Sequence, residues 1–304
     1  MALERIVTIG NADEGRTIWR YLPRDSFIRA IERGILYMPT AQAYCESDPN
    51  EGRFTEAYVS VLRRAAQLDR NLDPSLYIDE VDLDEEVGLI TNELRAVRNH
   101  AYISCWSLHE DENEMMWSAF ARDGVAIRTT VGLVLDQLYN WVDYEGGKSA
   151  LFRGPEVDRY ELHHGEISYN RNNSHLYLNG NNYREALVPF FCLDGSTMGG
   201  FSHEAEYRFI LIDQDGAVSE SDDHIGDKAT STYISPGMVS PRNPKEAGGL
   251  ELRVNFNTLI LELRVSPFVG EYERDLFEEM LEKNRIWHAA KESKLGSKAF
   301  TPCD

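Results

Sequence analysis

The sequence is short of basic side chains. It has 31 Lys and Arg against 51 Asp and Glu, a formal net charge of −20. Such a surface repels phosphate backbones and anionic lipid, so non-specific binding to nucleic acid or to a membrane is disfavoured. The acidity serves either solubility, its commoner use, or an imitation of the charge of nucleic acid.

Cysteines and long apolar runs are also scarce. The four cysteines, Cys45, Cys105, Cys192 and Cys303, show no CxxC spacing, which argues against a zinc knuckle and a disulfide framework. No stretch approaches the length of a membrane span, and the first residues lack the pattern of a secretory leader. We therefore expect a cytoplasmic protein with no membrane partner.

Several motifs of known enzymes are absent. The sequence contains no GxSxG elbow, P-loop, GxGxxG turn or HExxH helix. The adjacent His163 and His164 would point to opposite faces of a strand, so no metal site is expected there.

What the chain does have is enough apolar residues for a sizeable core, 42% of 304. Hydrophobic periodicity predicts one α+β domain over residues 1–304, with a mixed central sheet flanked by helices. The acidic segment 214–250 is predicted to be a mobile loop, and 160–169 a strand pair. The other predicted strands are 17–23, 35–40, 101–108, 125–130, 201–211, 250–254 and 258–266, and the predicted helices are 24–34, 55–68, 84–100, 112–124, 131–140 and 271–284.

The stretch "FSHEAEYRFIL" places Glu204, Glu206 and Arg208 at alternate positions. On a strand these three side chains share one face, which continues into Ile210 and Ile212. They form either an ion-pair ladder in solvent or a positioned acid whose orienting partner is Arg208.

A second candidate lies in the first predicted strand, where Arg20 stands between Trp19 and Tyr21. A half-buried arginine needs an anion, which is either a carboxylate of the protein or a phosphate of a ligand.

Four segments taken in order resemble a bacterial family known as domain of unknown function 2971. The resemblance covers about residues 17–290 and implies an architecture and a set of positions, but no reaction. The segments are "WRYLPRDSFIRAIERGILYMPTAQAYCESDPNEG", "YISCWSLHEDENEMMWSAFARDGVAIRTT", "EAEYRFIL" and "LILELRVSPFVGEYERDLFEEMLEKN".

The order of an early arginine, a serine-bearing strand and a late Glu-x-Glu strand is also similar to that of ADP-ribosyltransferases. This looser likeness implies NAD as substrate and an ADP-ribosyltransferase-like fold. It implies a pyrophosphate-binding arginine, an aromatic wall for nicotinamide, and glutamates that hold the ribose and activate an acceptor. The matching positions are Arg20, Tyr21 or Trp117, Ser107, Glu206 and Glu204, with Arg208 beside them.

Three functional hypotheses follow. The first is a bacterial or phage-borne ADP-ribosyltransferase or NAD glycohydrolase, acting as a toxin or defence effector on a protein or nucleic-acid acceptor. The second is a non-enzymatic acidic recognition or regulatory module whose paired charges lock the sheet. The third is a metal-dependent hydrolase or nuclease. The first requires Arg20 and Glu206 to face a common cavity.

Overall fold

The residues that the computed structural model describes are 6–9, 13–47, 59–60, 63–64, 67, 71, 84, 88, 98, 100–138, 160–167, 169, 190, 204–213 and 249–295. The predicted helices at 55–68 and 84–100 lie mostly outside them. So does the predicted loop at 214–250, except that Leu250 already belongs to a strand.

The described strands are β1 (Ile6–Ile9), β2 (Thr17–Leu22), β3 (Ile35–Met38), β4 (Ala101–Ser107), β5 (Val125–Thr130), β6 (Tyr160–Glu166), β7 (Glu206–Asp213), β8 (Leu250–Arg253), β9 (Glu262–Val265) and β10 (Ala290–Glu292). The described helices are α1 (Arg24–Arg33), α2 (Ala41–Ser47), α3 (Glu114–Phe120), α4 (131–138), α5 (Phe256–Leu259) and α6 (Glu271–Lys283).

Eight of these strands form one sheet in the order β1-β6-β7-β4-β2-β5-β9-β10. The two outermost pairs, β1 with β6 and β9 with β10, are parallel, and the inner pairs are antiparallel. Strands β3 and β8 form a separate antiparallel pair. The predicted α+β class, with a mixed central sheet and flanking helices, is confirmed.

Helix α1 shows how closely local sequence determines an element. Phe27 and Ile31 recur one turn apart and are buried, which fixes the face of the helix that packs on the sheet. Gly34 ends the helix in the left-handed region, with φ of 62°, and its N–H donates to the carbonyls of Ala30 and Ile31. This is the predicted stop, since glycine adopts that conformation without strain.

The sheet has two covered faces. One, here called the α1/α6 face, packs against α1, α4, α5 and α6 through the largest group of buried apolar side chains. The other, the α2/α3 face, carries two smaller apolar groups that include residues of α2 and α3. Strand β7 is central and covered on both sides, so all eight of its residues are buried.

The predicted strand at 258–266 and the predicted strand pair at 160–169 differ in kind from the structure. The segment predicted as a strand over 258–266 begins inside helix α5, because the Asn255 side chain caps that helix by accepting from the Asn257 N–H at 3.0 Å. Only Glu262–Val265 is strand. The predicted pair at 160–169 is the single strand β6, whose antiparallel partner is β7. The alternation of side chains identified a strand in this segment but could not show which strand pairs with it.

Candidate functional site

Glu206 and Arg208 form a closed ion pair on β7. Arg208 donates from Nε to Glu206 Oε1 and from Nη2 to Oε2, each at 2.9 Å. The glutamate and arginine side chains are only 9% and 4% exposed. The remaining terminal nitrogen, Nη1, donates to the carbonyl of Phe190 at 3.0 Å. The pair is therefore bidentate and sheltered from water, and the arginine is further anchored to the backbone.

The register of the sheet shows which side chains surround this pair. Glu206 lies opposite Ser107 on β4, and Arg208 lies opposite Cys105. Opposed residues share a face, so all four belong to the α2/α3 face. The Ser107 hydroxyl is buried and donates to the Glu204 carbonyl at 3.0 Å. Ser107 thus ties β4 to the chain just before β7.

Glu204 does not extend the row of charges that the sequence predicted. Ala205 has a positive φ of 42°, and β7 begins only at Glu206. The left-handed residue interrupts the alternation, so Glu204 precedes the strand rather than sharing its face. The Ala205 carbonyl accepts from the Leu108 N–H at 2.7 Å, which holds this bend against β4. Because of this bend, only Glu206 and Arg208 of the three predicted residues share a face of β7, and the expected ladder that included Glu204 is wrong.

Arg20 lies on the opposite face of the sheet from Glu206. It donates to Ser104 Oγ at 2.8 Å and to the Tyr37 carbonyl at 3.0 Å, and its guanidinium stands 5.5 Å from the centre of the Trp106 ring. Ser104 is paired in register with Phe209, a residue of the α1/α6 face. Burial lowers the pKa of Arg20, and the nearby Tyr44 and Cys105 raise it in part.

The expectation that Arg20 and Glu206 line one cavity is therefore not met. Arg20 and Trp19 are consecutive residues of β2, and Trp19 takes the α2/α3 face opposite Ser107. Alternation then turns Arg20 to the other side. The hydrogen-bond acceptors of Arg20 are the Ser104 hydroxyl and the Tyr37 backbone carbonyl, both groups of the protein itself.

Tyr21 and Trp117, the two alternatives for an aromatic wall, pack against each other inside the core. Their rings pack edge to face with centres 5.1 Å apart. Tyr21 Oη accepts from the Asn113 N–H at 2.9 Å, and burial raises the pKa of Tyr21 to about 12. Trp117 is fully buried, and its Nε1–H donates to Glu112 at 3.0 Å. Both polar atoms are already engaged within the protein, and Trp117 exposes no ring surface to a ligand.

A second buried charge network was missed from the sequence. Arg264 on β9 donates from Nε and Nη2 to Glu262 Oε1, at 2.9 and 2.7 Å, and from Nη1 to Glu112. The Glu112 carboxylate also accepts hydrogen bonds from Trp117 Nε1, Ser293 Oγ and the backbone N–H of Lys294. Arg264 stands 5.4 Å from the centre of the Trp19 ring, on the α2/α3 face.

The amino-acid sequence did contain a pattern that indicates part of this network. Glu262 and Arg264 repeat the Glu-x-Arg spacing of β7 within "LELRV". Nothing distinguished Glu112 from the other acids of "HEDENE", because its role comes from contacts with β9 and with residues 293–294.

The two adjacent histidines of β6 separate as the alternation predicted. His163 is paired in register with Ile210 of the α2/α3 face, and His164 with Phe209 of the other. His164 Nδ1 hydrogen-bonds Tyr207 Oη at 2.6 Å, and burial, followed by the charge of His163, lowers the pKa of His164 to about 4. Within the described ranges, no three His, Cys, Asp or Glu residues converge as metal ligands.

Comparison with protein-family models, curated proteins and solved structures finds no match to this chain. The resemblances to domain of unknown function 2971 and to ADP-ribosyltransferases therefore stay predictions. None of the helices that the structure describes has both the length and the apolar composition of a membrane span.

Proposed function

We propose that this protein is a non-enzymatic acidic recognition module, in which the Glu206–Arg208 pair stabilises the sheet and the acidic surface binds a cationic partner. The observation that carries the proposal is the state of Glu206. Both of its oxygens are engaged by Arg208 in a buried bidentate pair. Glu206 is thereby committed to Arg208 in a place that is only 9% exposed, whereas a glutamate that binds a ribose hydroxyl must face the ligand.

The separation of the residues suggested for NAD chemistry supports the same proposal. Arg20 lies on the α1/α6 face and Glu206 on the α2/α3 face. Tyr21 and Trp117 pack together in a core group that contains neither of them. Pyrophosphate binding, nicotinamide stacking and ribose contact need one shared cavity, because catalysis requires the reacting groups to be held together.

The charge balance supports binding of a cationic partner. With 51 acidic against 31 basic residues, the chain attracts positively charged segments over distances set by the ionic strength. Complementary charge of this kind mainly raises the rate and specificity of association.

The substitution Glu206→Gln tests the proposal by separating structure from catalysis. We expect the free energy of unfolding to fall by about 3 kcal/mol, since the variant leaves Arg208 buried without its counter-charge. We expect the wild-type protein to release no nicotinamide from isotopically labelled NAD and to gain no ADP-ribose mass. Urea denaturation and mass spectrometry of protein and small molecules are the measurements.

The matched control is Glu251→Gln, which breaks the exposed pair with Arg33 and should cost less than about 1 kcal/mol. The proposal would be overturned, in favour of the hypothesis of an NAD-dependent enzyme, if the wild type turned over NAD and Glu206→Gln abolished that turnover without changing the urea midpoint.

A further inference from the structure

An open groove lies at the carboxyl end of α6 and along the turn that follows it. Its polar and aromatic lining consists of three glutamates of the last helical turns, an exposed tryptophan of the turn and two basic residues, namely Glu278, Glu279, Glu282, Trp287, Arg285 and His288. Trp287 is 85% exposed, the highest value among the large apolar side chains recorded as exposed in the described residues. An indole left in water at this extent marks a candidate contact surface, since tryptophan is enriched at binding hot spots.

The backbone that carries Trp287 is held in a defined shape. Helix α6 ends with the Arg285 N–H bonded to the Glu282 carbonyl at 3.0 Å and the Ile286 N–H bonded to the Leu281 carbonyl at 2.9 Å. This is a Schellman motif, in which the left-handed position is usually glycine. Here Arg285 occupies it with a φ of 57°. A non-glycine residue held at this position is a strained feature of the kind that clusters at binding sites.

Asn257 fixes the turn from the other side. Its Nδ2 donates to the Arg285 carbonyl at 3.0 Å, and its Oδ1 accepts from the Trp287 N–H at 2.8 Å. The Asn257 carbonyl and His288 Nε2 are a further 3.1 Å contact. The backbone of Trp287 is therefore bonded to helix α5 while its ring projects outward. A side chain presented on a fixed backbone loses little backbone entropy when a partner binds.

The charges beside the indole are mostly negative, since three glutamates line the groove with the one guanidinium of Arg285. Glu278, Glu279 and Glu282 are exposed, and within the described part of the chain no ion pair joins them to a basic side chain. The neighbouring Lys283 pairs instead with Glu32 at 3.4 Å. Glu278 and Glu282 stand one helical turn apart, about 6 Å, close to the spacing of alternate side chains along an extended peptide.

We propose that this groove docks an arginine- or lysine-rich segment of a partner protein. One cation of the segment stacks on the Trp287 ring, and its neighbours pair with Glu278 and Glu282. The inference rests on the proposed recognition function and names the surface that performs it. Charge complementarity selects the occupant, because the groove combines a π face with three carboxylates that form no ion pair with a described residue, against the one guanidinium of Arg285.

The test uses the full chain and a fluorescently labelled decapeptide of alternating arginine and glycine, followed by anisotropy at about 50 mM salt. Trp287→Ala, and separately the triple variant Glu278→Gln, Glu279→Gln, Glu282→Gln, are expected to raise Kd by about tenfold or more. The same peptide with glutamine in place of arginine is expected not to bind. Circular dichroism checks that the variants remain folded, which the exposure of these residues favours.

Two matched controls separate the groove from general acidity. Tyr272→Ala removes an aromatic side chain that is 78% exposed at the other end of α6. The triple variant Glu110→Gln, Glu271→Gln, Asp275→Asn removes the same number of exposed charges elsewhere. Both should leave Kd within about twofold.

The outcomes distinguish the two proposals. If the groove variants and the control variants weaken peptide binding equally, the proposed docking groove is wrong but the recognition function is not contradicted. A wild-type protein that fails to bind the arginine peptide at all overturns the cation-binding function and the groove together.

Discussion

Two Glu-x-Arg pairs stand on the same face of one sheet, four strand positions apart, and they are built differently. On β7, Arg208 binds both carboxylate oxygens of Glu206 and also donates to the Phe190 carbonyl. On β9, Arg264 is shared between Glu262 and Glu112, and Glu112 accepts three further hydrogen bonds. Identical local spacing thus yields a bidentate pair on β7 and, on β9, a guanidinium shared between two carboxylates.

The difference teaches that a motif of two charges specifies a shared face and little else. In both strands the i, i+2 spacing brings the carboxylate and the guanidinium together. Whether either charge has a substitute partner depends on what packs over that face. Arg208 directs two of its nitrogens to Glu206 and the third to a backbone carbonyl, whereas Arg264 divides its nitrogens between Glu262 and a second carboxylate, Glu112, from the loop before α3. The two pairs should therefore respond unequally to the loss of one member.

The largest effect is expected from Arg208→Met. Removing the guanidinium leaves Glu206 buried without a counter-charge, so the free energy of unfolding should fall by about 3–5 kcal/mol. The double variant Glu206→Gln, Arg208→Met removes both charges and should recover much of this loss. Urea denaturation of the single and double variants measures both values. A double variant as unstable as the sum of the two singles would show that the charges do not act as a pair.

Acid should lower the free energy of unfolding through His164, which lies on β6 beside β7. Its pKa is lowered from 6.5 to about 4, so between these values the unfolded chain binds a proton that the folded chain does not. The contribution of His164 to the free energy of unfolding is therefore fully present above pH 6.5 and is lost as the pH falls towards 4, by up to about 3 kcal/mol.

The comparison of wild type with His164→Gln isolates this contribution. The difference between their free energies of unfolding at pH 7 and at pH 4.5 gives the share due to His164, since glutamine does not titrate in this range. Parallel pH curves for wild type and His164→Gln would contradict the assignment.

The smallest effect is expected from Glu262→Gln. Arg264 keeps its pairing with Glu112, so the loss should be about 1 kcal/mol, well below that of Arg208→Met. The same urea experiment measures it. A loss as large as that of Arg208→Met would show that the second carboxylate, Glu112, does not compensate Arg264 for the loss of Glu262.

Much of the fold was predictable because local patterns carry it. Helix α1 and its glycine stop, strand β4, helix α3 and helix α6 all appear where the apolar periodicity placed them. The failures come from interactions that periodicity does not encode. The asparagine cap converted the start of a predicted strand into α5, and the positive φ of Ala205 removed Glu204 from its predicted row.

The candidate site was predictable only in part. The Glu-x-Arg spacing correctly placed Glu206 beside Arg208. The NAD hypothesis also required Arg20 to face the same cavity, but β2 turns that side chain to the other face. The network around Glu112 escaped prediction because its members are up to 182 residues apart in sequence. No local rule relates residues at such a separation.

The amino-acid sequence by itself determined the acidic surface, the alternation of side chains along each strand and the ends of the main helices, because these depend on composition and on neighbours within a few residues. Only the tertiary structure decided which strand lies beside which, hence which face Arg20 takes, which carboxylates Arg264 receives and why Glu206 is closed off by Arg208. Sheet order and burial are collective properties of the whole chain, and they set whether a charged residue is free for a ligand or committed to the fold.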